Sequence, residues 1–223
     1  MKVLKVSVSF VIVLLMSQPL FAQPTFQVYS PDAIHGGDYF EDEDSWFVDS
    51  STFELWAIGA YHNETSLQEC QLLLSFPDGQ EGSVSITGLN GTPDPDSSAF
   101  YTTSDFFPAN FNNHYPVGHD DVVDYMTFSI GSFANNDEDI YDYNADGESI
   151  TLTNATGEVK EYLVEVSGFD WVHFDLYGHV IGSDWWEMNP ASHDLTFIPA
   201  PGAVLLGSIG VVFVGWLRRR RAL

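Results

Sequence analysis

Apolar side chains recur at every second position along this chain, in short runs punctuated by Gly, Pro, Asn and Asp, and no stretch sustains a helical period. A period of two belongs to strands that bury one face, so sheets packed face to face are the expected solution. In Val159–Gly168, for example, Tyr162, Val164 and Val166 share one face, while Glu161, Leu163, Glu165 and Ser167 share the other. Further strands are expected at 25–30, at 45–61 (two strands split near Asp49–Ser51), and at 70–77, 82–89, 122–131, 149–154 and 171–182. This spacing predicts an all-β, antiparallel β-sandwich of jelly-roll-like type. Residues 90–121 have the composition of a long surface loop.

Charge narrows the function classes. All thirty-two acids lie between Asp32 and Asp194, and Lys160 is the only Lys or Arg between Gln23 and Pro199, leaving that span at −31. Such a polyanion repels nucleic acid, so no nucleic-acid partner is expected. Its self-repulsion calls for screening salt or bound cations. Cys70 is the only cysteine, so no intrachain disulfide can form, and a small buried core residue is its expected role.

The two ends read as targeting segments. Lys2 and Lys5 precede an apolar run from Val6 to Met16, and SQPLFA ends on the small residue Ala22, the pattern of a signal peptide over 1–22. At the other end, 198–223 read IPAPGAVLLGSIGVVFVGWLRRRRAL. Pro199 and Pro201 enforce an extended backbone around Ala200. Residues 202–217 are uncharged and come close to the roughly 17 apolar residues that a spanning helix needs. Arg218, Arg219, Arg220 and Arg221 then hold the C-terminus in the cytoplasm and place the 23–197 ectodomain outside.

Pro-x-Pro, a short Gly-rich apolar helix and a terminal arginine cluster, in that order, resemble the PEP-CTERM sorting signal of Gram-negative bacteria. Ala200 stands where that signal's name implies Glu. The strings GFDWVHFDLYGH (168–179) and NPASHDLTFIPAPGAVLLGSIG, and more loosely TFQVYSPDA near the start, resemble the choice-of-anchor N family. The resemblance implies an exported surface domain, an exosortase-type processing enzyme as partner, and transient residence of 202–217 in the inner membrane. It implies no activity. An ordinary single-pass anchor that no enzyme cuts is the alternative for the tail.

Two motifs are candidates for chemistry. Asp142, Asn144, Asp146 and Glu148 offer alternate oxygen ligands with Gly147 at the turn, as in an EF-hand-like calcium loop. Thr153 stands where such a loop carries its bidentate Glu, so the loop is partial, and an acidic solvated turn is the competing reading. His173, Asp175, Tyr177 and His179 fall on one face of a strand. His173 and His179 would sit about 20 Å apart at 3.4 Å per residue, too far to share an ion, so a polar sheet face with cross-strand hydrogen bonds is expected. Whether His193 and Asp194 approach that face is not set by the sequence.

No nucleophile elbow, phosphate loop or zinc-spaced histidine pair occurs. Asn63, Asn90 and Asn154 are incidental glycosylation sequons with such a tail. The leading expectation is an exported, non-enzymatic protein of the cell surface or exopolysaccharide matrix. The alternatives are a calcium-dependent carbohydrate-binding module using Trp46, Trp185 or Trp186, and, behind it, a hydrolase.

Overall fold

The computed structural model describes residues 24–38, 44–103, 107, 111, 114, 117, 122–144, 150–181 and 185–199. The signal peptide, the tail from Ala200, and Asp146 and Glu148 of the acidic loop lie outside the described residues. Among the described residues no helix is long and apolar enough to cross a membrane.

Strands make up most of the described chain. In order these are β1 (Phe26–Tyr29), β2 (Ile34–Asp38), β3 (Asp44–Val48), β4 (Thr52–Tyr61), β5 (Ser66–Phe76), β6 (Ser83–Gly88) and β7 (Ser97–Tyr101). They continue with β8 (Asp124–Phe133), β9 (Glu138–Asp142), β10 (Thr151–Ser167), β11 (Val172–Ile181), β12 (Trp185–Met188) and β13 (Leu195–Phe197). One sheet runs β1-β4-β10-β6, with β9 also on β10; the other runs β2-β3-β13-β11-β5-β8-β7, with β12 also on β11. Pairing is antiparallel except between β3 and β13.

The two sheets pack over one apolar core, giving a β-sandwich-like fold. Phe26, Val28, Phe53 and Leu55 come from the first sheet, and Leu72, Leu74, Phe174 and Leu176 from the second. Phe53 sits edge-on to Phe174 at 5.7 Å and stacks on Phe197 at 6.3 Å. Full burial of side chains this size contributes about 1.5–3 kcal/mol each, so the core needs no disulfide. Cys70 is part of it, and burial pushes its thiol up to about 12, which makes it inert. Lys160 is also buried: its Nζ donates to the carbonyls of Ile130 at 2.5 Å and Ser132 at 2.8 Å and lies 4.9 Å from the Phe133 ring centre.

Two features differ from the sequence expectation. The runs at 149–154 and 159–168 are parts of one strand, β10, because a bulge between Leu152 and Ala155, with Asn154 at φ 58°, absorbs the break in alternation. The 90–121 stretch is not a plain surface loop either. It contains β7, and its Phe107, Phe111 and Val117 pack with Val122 on the outward face of the second sheet, over Leu73, Tyr125 and Tyr177. The second sheet therefore has apolar cover on both faces.

Candidate functional site

The centre of the second sheet is β11, flanked by β13 on one side and β5 on the other. Its period of two sends Val172, Phe174, Leu176 and Val180 into the sandwich core, and His173, Asp175 and Tyr177 to the opposite face. That face lies beneath the loop after β7. His173 and Asp175 are therefore buried in the fold, at 1% and 0% side-chain exposure, where a polar surface had been expected.

Register supplies the neighbours. His173 is paired with Thr196 of β13, and Phe174 with Leu195, so the residue before β13, Asp194, falls beside Asp175. Thr196 and Asp194, two residues apart, share the face of His173 and Asp175. His114 descends from the covering loop, just past a turn closed by its own N–H donating to the carbonyl of Phe111 at 2.9 Å. Three segments distant in sequence thus meet at one buried point.

The geometry is tight. His114 Nε2 is 2.8 Å from Asp175 Oδ1, His173 Nε2 is 3.4 Å from the same oxygen, and His173 Nε2 is 3.5 Å from Asp194 Oδ2. One nitrogen or oxygen from each of the four residues lies within 4.8 Å of all the others. Around them, Thr196 Oγ1 stands 2.9 Å from His173 Nδ1, and Asn189 Nδ2 donates to Asp175 Oδ1 at 3.2 Å. Asn189 is itself fixed to β11, accepting from the Leu176 N–H at its Oδ1 and donating its own N–H to the Leu176 carbonyl.

Asp175 is the electrostatic centre. Burial alone would raise its pKa, but the charges of His173 and His114 and their hydrogen bonds outweigh burial and hold the carboxyl well below the usual carboxylate range. It stays ionised, yet its Oδ2 has no hydrogen-bond partner among the described residues. Two carboxylates and two imidazoles closed off from solvent can share protons, or share a cation. None of the four side chains is more than 12% exposed.

The residues singled out from the sequence are scattered. Asp142 Oδ1 accepts from His193 Nε2 at 2.9 Å, so His193 goes to the acidic loop while its neighbour Asp194 joins the buried cluster. Asn144 is buried, its Nδ2 donating to the Val28 carbonyl at 3.3 Å. The Thr153 hydroxyl donates to the Ile140 carbonyl at 2.8 Å. His179 lies past a bulge and stacks on Trp186 at 5.3 Å, well away from His173 along the strand. Among the tryptophans, Trp46 is 5% exposed and Trp185 67%. Trp46 lines an open pocket of about 330 Å³ with Tyr29, His35 and Tyr143, rimmed by the exposed Ile34 and Ile150. Sequence reasoning missed His114 as a partner of the His173–Asp175 pair and left the approach of Asp194 open. The available signal was FFPANFNNH, whose aromatics mark a loop that covers something apolar and carries a histidine beneath it.

A scan against protein-family models finds no match, and no curated protein matches the chain. Among solved structures, AvmM, which catalyses macrocyclization in alchivemycin A biosynthesis, is similar over 80% of this chain and 90% of its own, with 8% identity and a TM-score of 0.38. An uncharacterized protein from Nocardia farcinica with an immunoglobulin-like fold is similar over 78% of this chain and 97% of its own, with 9% identity and a TM-score of 0.29. Likeness at this level carries no functional argument.

Proposed function

We propose that the chain is an exported, non-enzymatic protein of the cell surface or exopolysaccharide matrix: a jelly-roll-like ectodomain delivered through the inner membrane by a PEP-CTERM-like signal and handed to an exosortase-type enzyme. One observation carries the non-enzymatic part. The His–Asp constellation is buried, on the sheet face that Phe107 and Phe111 help to cover, with side-chain exposures of 12% or less. Catalytic groups must come within hydrogen-bond reach of a substrate, and the burial of all four side chains supports a structural role instead. The −31 charge of the mature span fits a hydrated, salt-bathed exterior.

The test is mass spectrometry of the protein recovered from the surface of its native host. The expected mature chain begins near Gln23 and lacks the residues beyond about Pro201, and replacing Pro199 and Pro201 by Ala leaves the full-length form in the inner membrane. Intact Arg218, Arg219, Arg220 and Arg221 on the surface-localised protein would overturn the sorting reading in favour of an uncut anchor.

The aromatic pocket of Tyr29, Trp46 and Tyr143 supports a second reading, a calcium-dependent carbohydrate-binding module. Burial raises the pKa of both tyrosines, so their hydroxyls stay neutral and able to hydrogen-bond a sugar ring. Glycan-array binding with and without chelator separates the two readings: chelator-sensitive glycan binding favours the module, and none favours the matrix protein.

A further inference from the structure

We propose that His114, His173, Asp175 and Asp194 bind one divalent transition-metal ion of the zinc type, as a closed structural centre. Nothing in the sorting signal or the surface role requires such a site.

The donor set selects the class of ion. Two imidazole nitrogens with two carboxylate oxygens suit zinc, manganese, iron, cobalt, nickel or copper, whereas calcium and magnesium prefer all-oxygen shells of six or more. Spacing agrees. With metal–ligand bonds of about 2.0–2.2 Å, the edges of a tetrahedron are about 3.3–3.6 Å. His173 Nε2 lies 3.4 Å from Asp175 Oδ1 and 3.5 Å from Asp194 Oδ2, and all four donor atoms fall within 4.8 Å of one another. The His114–Asp175 separation of 2.8 Å needs to open by only about half an ångström to become such an edge.

An unmet need points the same way. Asp175 is fully buried, and its Oδ2 has no hydrogen-bond partner among the described residues. A buried carboxylate oxygen must be paired or must coordinate a metal. With an ion bound, two carboxylates, one dication and two neutral imidazoles sum to zero charge. The surroundings are those of a metal site as well. A neutral His173 that donates its Nδ1–H to Thr196 Oγ1 presents the Nε2 lone pair to the ion, and Asn189 orients Asp175.

The centre also has a structural task. It ties the loop bearing His114 to the middle of β11 and to the start of β13, in a chain that has no second cysteine with which to staple itself. All four ligands come from the protein and none is open to solvent, which marks a structural site and leaves no position for a substrate.

The experiment uses the full-length chain purified in detergent, loaded with Zn²⁺, dialysed, and assayed by inductively coupled plasma mass spectrometry. One zinc per chain is expected, with a melting temperature that falls on chelation and returns with Zn²⁺ but not with Ca²⁺. Co²⁺ in place of zinc should give the visible absorption bands of a four-coordinate site, and His114→Ala should change them. His114 sits on the covering loop, so its loss leaves the sandwich folded. Its zinc affinity should drop by more than about 100-fold, since even an outer-shell change such as Thr196→Val costs about 10–100-fold. Wild-type protein that retains no stoichiometric transition metal overturns the proposal, as does unchanged zinc retention in both His114→Ala and Asp175→Asn. The cluster is then a metal-free imidazole–carboxylate network.

Discussion

The acidic loop at Asp142–Glu148 and the buried cluster around Asp175 are both sets of oxygen and nitrogen donors, yet they are built in opposite ways. The loop takes its candidates from one short stretch of sequence, and its described members are engaged elsewhere, Asp142 with His193 and Asn144 with the backbone of β1. The cluster draws on residues 114, 173, 175 and 194, brought together by strand register and a covering loop. A local motif advertises itself in the sequence, yet its described members take other partners in the fold. A non-local one shows only its His173–Asp175 half in the sequence and is desolvated in the fold, where each charge matters far more.

That difference predicts unequal mutational costs. Asp175→Ala strands His114 and His173 without their common partner in a dry site, so it should destabilise the fold by about 3–5 kcal/mol. Asp142→Ala breaks one partly exposed contact and should cost about 1 kcal/mol or less. Urea unfolding monitored by tryptophan fluorescence measures both. Equal costs would break the comparison and mean that the loop is as integral to the fold as the cluster.

Calcium gives a second, smaller test. If the Asp142–Glu148 loop binds Ca²⁺, a hundredfold excess over Kd stabilises by about 2.7 kcal/mol, and the melting temperature rises by several degrees. Screening of the −31 charge raises it too, so NaCl at matched ionic strength is the control. Asp142→Asn with Asp146→Asn should remove the calcium-specific part and spare the salt-dependent part. Equal shifts from calcium and matched NaCl in the wild type leave the loop an acidic turn.

The sequence carried the sandwich further than the site. Strand identity followed from burial periodicity: Tyr162, Val164 and Val166 are all buried as their alternation requires, and the break at Asp49–Ser51 does separate β3 from β4. β10 was misjudged as two strands because a bulge shifts the alternation without ending the pairing. β13, only three residues long, was passed over because so short a run has no period to detect. That omission hid the site, since β13 is what lays Thr196 and Asp194 against β11. His114 was hidden for another reason. Its placement depends on Phe107 and Phe111 finding the outward face of the second sheet, a tertiary event that no local pattern encodes.

The finest test sits on two adjacent residues. His193 and Asp194 are neighbours in the chain but face different regions: His193 Nε2 meets Asp142 Oδ1 at 2.9 Å in the acidic loop, while Asp194 Oδ2 lies 3.5 Å from His173 Nε2 in the buried cluster. If the two regions are energetically distinct, His193→Gln should lose one hydrogen bond in a site with 10% and 19% side-chain exposure, costing about 1 kcal/mol. Its effect on zinc retention should be nil. Asp194→Asn keeps the shape but removes a negative charge and an anionic donor, so zinc retention should fall even where the loss of stability is small. The two variants, compared by melting temperature and metal content, separate the regions at a resolution of one residue. A His193→Gln protein that also loses zinc would show the loop and the cluster to be one coupled unit joined through the 193–194 peptide.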